Sequence, residues 1–196
     1  MSLSKINSYN IVLASQSPRR RQLLSELGVE YSLANLQDID ETYPQDIEVE
    51  KVPEYLSTHK ASYYKNKLTD NDVLITADTI VILKGNIIGK PKDFNEAVEI
   101  LTQLSGNSHT VITGVCLTSK GKSSTFASKT EVYFKPLSEN EIQFYLEKFE
   151  PFDKAGAYGI QDWIGYVAIE KIEGSFYNVM GLPTQKLYQE LIKFCL

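Results

Sequence analysis

Residues 73–83, VLITADTIVIL, set eight apolar side chains around a single aspartate in eleven positions. The run reads as the strongest strand in the chain, and it turns through Lys84-Gly85-Asn86 into Ile-Ile-Gly, a hairpin pattern. Strand alternation puts Asp78 on one face with Leu74, Thr76, Ile80 and Ile82. Burying an unpaired carboxylate is costly, so Asp78 needs a cation, a metal or open water. Two readings stay open. Asp78 faces solvent from an edge strand, or it sits on a rigid strand where it binds a metal or orients a water.

The flanking patterns make the fold class mixed α/β. Ile11–Ser15 reads as a short buried strand, followed by a helix and a second strand at Tyr31–Asn35. An acidic, irregular stretch over 36–50 contains DIDET, and from Pro53 a helix runs to about Lys67, with Tyr55, Leu56, His59 and Tyr63 near one face. Asp93 with Glu96, and Ser138 with Glu141, form capping boxes. The helices they open carry apolar residues at helical spacing: Ala97, Ile100, Leu101, Leu104 in one, and Ile142, Tyr145, Leu146, Phe149 in the other. Two strands, about 109–118 and 124–134, flank SKGK, further strands are expected around 166–172 and 175–179, and a last helix starts near Thr184. Helices interleaved with both crossover and hairpin strands imply a mixed sheet. The 196 residues fit one domain spanning 1–196, or two small lobes sharing a cleft.

A second anomaly lies in SQSPRRR. Ser17 is a good N-cap and Pro18 a good first helical residue, so Arg19, Arg20 and Arg21 occupy the first turn of a helix that stops at Gly28. Free N–H groups and the helix dipole make that end positive, and each arginine should cost roughly 0.3–1 kcal/mol there. A solvated helix start tolerates this. So does an anion site, where guanidinium forks and free N–H groups converge on phosphate oxygens.

Composition narrows the classes. A formal net charge of −5, with no dominant basic face, argues against a nucleic-acid binder. Cys116 and Cys195 are far apart and read as free thiols in a reducing compartment. The N-terminus lacks an apolar run, and no stretch approaches the ~20 apolar residues of a membrane span, so a cytoplasmic location is expected. With His59 and His109 as the only histidines, a histidine-rich metal site is not expected, and His109 reads as structural or as a ligand. GNIIGKP falls one residue short of a P-loop, and Pro91 stands where a hydroxyl would hold magnesium. Glu41 with Asp38 and Asp40, Lys60 on its helix, and Lys90 between Gly89 and Pro91 each fit either a surface role or a site. In DKAGAYGIQ, small residues allow close backbone approach, and the Gln161 amide can pair with a base edge.

LASQSPRR, DIDE, Lys60-Ala61, ADT, GKP, LSGNSHTVITGV, EPFDKAGAYGIQ and VMGLP, in that order, resemble the Maf family of nucleoside triphosphate pyrophosphatases, once named for septum formation. The resemblance covers the chain from Ile11 to the last helix. It implies a fold similar to inosine triphosphate pyrophosphatases, an elongated mixed sheet with two lobes around a deep cleft. It also implies hydrolysis between the α- and β-phosphates with a divalent cation, Mg²⁺ or Mn²⁺. By resemblance Asp78 is the proton-accepting residue and, with Glu41, a metal ligand. Ser15, Arg20, Lys60 and Lys90 match substrate-binding positions, and Arg19, Thr79 and Gln161 match positions that set base preference. Thr79 with Gln161 resembles the branch acting on dTTP and UTP. Asp162 stands where relatives commonly have glycine, which leaves fine specificity open, since its carboxylate could accept from the N4 amino group of cytosine. Two alternatives remain: a house-cleaning pyrophosphatase for 7-methyl-GTP or other modified nucleotides, and a non-catalytic nucleotide-binding regulator of cell division. The partner expected is a nucleoside triphosphate, with no nucleic acid and no membrane, and a homodimer is left open.

Overall fold

The computed structural model describes residues 3–35 and 37–196; Met1, Ser2 and Leu36, the first residue of the acidic stretch, lie outside the described residues. Along the chain run α1 (Leu3–Ile6), β1 (Asn10–Leu13), α2 (Pro18–Glu26), β2 (Tyr31–Leu33), α3 (Val52–Ser62) and β3 (Asp72–Leu83). Then come β4 (Asn86–Ile88), α4 (Phe94–Leu104), β5 (Ser108–Thr118), β6 (Ser123–Phe134) and α5 (Glu139–Phe149). The chain closes with α6 (Trp163–Val167), β7 (Ile169–Glu173), α7 (Phe176–Val179) and α8 (Thr184–Phe194). Among the described residues the sheet has seven strands, in the order β2-β1-β3-β5-β6-β7, with β4 paired to β3. It is mixed: β1 runs parallel to β2 and β3, whereas β3–β4 and β6–β7 are antiparallel. Asp78 is therefore not on an edge strand, because β3 lies between β1 and β5. No helix among the described residues is long and apolar enough to cross a membrane.

Local signals place most element ends. Ser17 caps α2 by accepting from the Arg20 N–H, and Gly28, at φ +78°, takes the left-handed position after its last turn. The β3–β4 hairpin has two central residues with positive φ, Lys84 at 50° and Gly85 at 83°, the geometry that matches strand twist. Ser138 and Glu141 make the expected reciprocal box at α5. At α4, Asp93 accepts from the Glu96 N–H, but Glu96 accepts from the Lys92 N–H, one residue earlier than a reciprocal box requires.

Two expectations need correction. The strand expected at 175–179 is the helix α7, because Ser175 caps it by accepting from the Asn178 N–H. The strand expected at 166–172 is β7 at Ile169–Glu173, preceded by the short helix α6. In addition, α3 stops at Ser62 and a separate 3₁₀ turn covers Lys65–Lys67. Its buried side carries Val52, Pro53, Leu56, Ser57 and Ala61, while Tyr55 and Tyr63 are exposed and pack on His59.

The chain divides into two compact units, one of Met1–Asp78, Thr113–Ser128 and Gly181–Leu196, the other of Thr79–Ile112 and Lys129–Met180. In the first, Leu74, Ala61, Tyr64 and Cys116 form a buried cluster on which Val12, Ala14, Ala34, Ile39 and Leu68 pack. The seating of α3 there depends on Gly114: a Cβ at that position would stand 2.3 Å from the Pro53 carbonyl carbon. In the second unit, α4 packs against α5, with Ala97, Leu101, Leu104, Tyr145 and Leu146 buried.

Candidate functional site

In the first unit the polar residues converge on Asp78, which is 7% exposed at the end of the buried part of β3 that this unit holds. Two residues earlier, Thr76 donates its hydroxyl to the Ser57 carbonyl at 2.7 Å, which ties α3 to the strand. One helical turn further along α3, Lys60 then reaches Asp78 with Nζ–Oδ1 at 2.7 Å. The same ammonium lies 2.7 Å from Glu41 Oε1. Lys60 and Asp78 side chains are 15% and 10% exposed, so their pair is nearly dry, whereas Glu41 is 55% exposed. The acidic stretch delivers Glu41 because Ile39 packs into the apolar cluster and the Gln37 N–H donates to the Tyr64 hydroxyl at 3.1 Å. DIDE is thus anchored by its apolar residue, not merely solvated.

Two of the three arginines are turned back onto the protein. Arg20 donates from Nε to the Gly181 carbonyl and from Nη1 to the Ala77 carbonyl, both at 2.8 Å. Arg21 donates from Nε and Nη2 to the Ser15 carbonyl at 3.4 and 3.3 Å. Backbone oxygens therefore take up guanidinium charge that the helix start disfavours. Burial holds Arg20 below the usual arginine pKa, the Asp78 and Glu41 carboxylates oppose that shift, and Arg19 adds to it. Ser15 is buried and its hydroxyl accepts from the Ser17 N–H at 3.2 Å. The structure thus gathers Arg20, Glu41, Lys60 and Asp78 into one electrostatic cluster, with Ser15 just before α2 and Arg19 in its first turn.

Two carboxylates sharing one cation are a hard-oxygen donor set. Mg²⁺ and Mn²⁺ fit such a set when substrate phosphates and water complete the shell, since one or two carboxylates suffice. No group of three or more metal-ligating side chains occurs among the described residues. The protein's share of such a shell would be Glu41 and Asp78.

Thr79, Lys90 and Gln161 belong to the second unit. Thr79 is half-buried and Lys90 exposed. The Gly156 N–H donates to the Gly89 carbonyl at 3.0 Å, which fixes the residue before Lys90 against the 155–161 segment. That segment uses positive φ at Gly156 (74°) and Ala157 (56°). Tyr158 is buried, with its hydroxyl 2.7 Å from His109 Nε2 and both rings edge-on to Phe134. Burial lowers His109 to about 4 and raises the Tyr158 phenol. Burial thus favours the neutral form of the His109 imidazole. Gln161 donates from Nε2 to Asp162 Oδ1 at 3.0 Å, and Asp162 Oδ2 accepts from the Tyr145 hydroxyl at 3.0 Å. Both Asp162 oxygens therefore have partners within its own unit, which leaves further lone pairs on the carboxylate. Sequence reasoning took Tyr145 as core alone; its spacing on α5 gave no sign of the hydroxyl's role.

The fold and these clusters define a class first: a mixed α/β protein that buries a carboxylate under a lysine and an anchored arginine. A family model described as Maf-like protein matches residues 10–194, and the chain belongs to that family. It is similar to a dTTP/UTP pyrophosphatase of Bacteroides thetaiotaomicron, 52% identical over 97% of this chain and 99% of the relative. A dTTP/UTP pyrophosphatase of Porphyromonas gingivalis is 50% identical over 98% of each chain. A solved nucleoside-triphosphatase / dITP/XTP pyrophosphatase of Mycobacterium abscessus aligns over 65% of this chain and 75% of its own, at 12% identity and a TM-score of 0.41.

Proposed function

We infer that this chain is a hydrolase of the nucleoside triphosphate pyrophosphatase class, and propose dTTP and UTP as its substrates. The observation that carries the reading is the dry Lys60–Asp78 pair extended to Glu41, in a chain half identical to proteins named for that activity. Glu41 and Asp78 would hold a divalent cation, Mg²⁺ or Mn²⁺, which when bound supplies positive charge to the phosphates and to the leaving pyrophosphate. Asp78 orients the attacking water and takes its proton as the oxygen bonds to the α-phosphorus. The bond from that phosphorus to the α–β bridging oxygen breaks, giving a nucleoside monophosphate and pyrophosphate. Arg20, fixed by two carbonyls, offers positive charge that needs no reorganisation, and Arg19, Lys60 and Lys90 hold phosphate oxygens. Ser15 and Thr79 contact the substrate, and Gln161 reads the base. A cytoplasmic setting is supported by the free, buried thiols of Cys116 and Cys195.

The test is pyrophosphate release from dTTP, UTP, CTP and 7-methyl-GTP, with Mg²⁺, Mn²⁺ or chelator. Release from dTTP and UTP, abolished by chelator, is expected. Preference for 7-methyl-GTP would move the chain to the house-cleaning alternative, and tight nucleotide binding without turnover would make it a regulator.

A further inference from the structure

We propose that Asp162 is a positioning residue that holds the Gln161 amide in one orientation and thereby selects bases that carry an N–H donor at ring position 3. The inference rests on the pyrimidine reading above and adds to it the residue that enforces the choice.

A glutamine amide is ambiguous as a reader, because a half-turn exchanges its donor and acceptor ends. Here the ambiguity is removed. An ionised carboxylate only accepts, so Asp162 Oδ1, at 3.0 Å, admits the N–H₂ end of Gln161 and repels the carbonyl end. Asp162 cannot swing away easily. Its Oδ2 accepts from the Tyr145 hydroxyl at 3.0 Å and lies 3.9 Å from Lys154 Nζ. Tyr145 is fully buried, and its oxygen accepts in turn from the Gly159 N–H at 3.0 Å. Gly159 also makes room for the pair, since a Cβ there would stand 2.6 Å from Gln161 Nε2 and 2.5 Å from Asp162 Oδ2.

The other end of the amide is the telling part. Gln161 Oε1 is buried and has no hydrogen-bond partner among the described residues. A buried acceptor without a donor is unfavourable, so this carbonyl is the group that a ligand would satisfy. Uracil and thymine carry a hydrogen on N3 and answer it. Cytosine held in the same pose presents a lone pair at N3, and the two acceptors repel. Asparagine at 162 would end the constraint, because it can offer Gln161 either a carbonyl or an N–H₂. Gln161 could then turn over and donate to cytosine N3.

The experiment compares kcat and KM on UTP and CTP for the wild type and Asp162→Asn, with Tyr145→Phe as a milder loosening. The UTP-over-CTP ratio of kcat/KM is expected to fall about tenfold in Asp162→Asn, carried by a lower KM for CTP, with kcat on UTP little changed. A ratio that stays put overturns the proposal, and so does an equal loss on both substrates, which marks a merely structural residue. A readout independent of turnover is the side-chain amide resonance of Gln161, assigned by its loss in Gln161→Leu. Protection from solvent exchange in the wild type and its loss in Asp162→Asn are expected; an unprotected wild-type amide overturns the orientation whatever the substrate. Absence of any pyrophosphate release from UTP or dTTP by the wild type would instead sink the pyrimidine reading, and the amide measurement would still decide the role of Asp162.

Discussion

Around Asp78 the buried polar chemistry is ionic: an ammonium between two carboxylates and a guanidinium pinned by carbonyls. Around Tyr158 and Gln161 it consists mainly of phenol, imidazole and amide groups, with the Asp162 carboxylate bound to the Gln161 amide and the Tyr145 hydroxyl. The contrast matches the roles proposed for the two regions, phosphate binding at the first and base reading at the second. Phosphates carry charge but little shape, so positive groups on rigid elements serve them best. A base carries little charge but a distinct donor and acceptor pattern, and neutral partners in fixed orientation read it best. Each arrangement has its own weakness. Removing one ion leaves an opposite charge stranded in a dry place, whereas the neutral network fails when pH puts a charge into it.

The largest effect is expected at the centre of the ionic cluster. Asp78→Asn keeps the volume but loses the charge and the basicity, and turnover should fall at least ~10³-fold while the protein stays folded. Steady-state pyrophosphate release, alongside a melting curve, measures both. Near wild-type turnover would place the base elsewhere.

Next comes Lys60→Met, which strands Asp78 without its ammonium. Buried pairs broken from one side typically lose 3–5 kcal/mol, and the nearby Arg20 should keep this loss near about 3 kcal/mol. Urea unfolding gives the number. Glu41, being half exposed, is the internal contrast: Glu41→Gln should cost under about 1 kcal/mol of stability. Equal costs for the two variants would erase the distinction between the dry pair and its exposed partner.

A smaller effect than the one at Lys60 belongs to the network of His109 and Tyr158. The folded pKa of His109, about 4, lies below its usual 6.5, so its contribution to stability is full above pH 6.5 and is lost progressively as pH falls toward 4. Between pH 7.5 and 5.0 this amounts to about 2 kcal/mol. Unfolding free energies at the two pH values, compared between wild type and His109→Gln, isolate it, since the variant should lack that share of the slope. An identical slope in both would show that the imidazole is not held neutral.

What the chain announces by itself is local. Ser17-Pro18, Ser138 with Glu141, Lys84-Gly85-Asn86 and the spacing of Ala97, Ile100, Leu101 and Leu104 act within one turn of helix or one reversal of strand, so their effect is readable from neighbours. The same is true of Asp78 as an anomaly, because eight apolar residues around a carboxylate need no partner to look unusual. The family resemblance also pointed to Glu41 and Lys60, which the structure brings to Asp78, although no spacing rule derives them. Folding alone decided which cation answers Asp78. Lys60 is 18 residues away, and the Thr76–Ser57 hydrogen bond and the bare Gly114 set the seat of α3 that brings it there. It also decided that two of the three arginines face backbone carbonyls, that 175–179 caps into a helix, and that Tyr145 reaches from α5 to fix Asp162. The physical reason is common to the two charge pairings and the Tyr145 contact; the Ser175 cap is itself local, whereas the Asn178 amide, which donates to the Val111 carbonyl and the Thr130 hydroxyl, ties its helix to distant segments. Caps, turns and amphipathic phase depend on contacts a few residues apart, whereas the partner of a buried charge or hydroxyl is set by packing between segments that the order of residues does not place side by side.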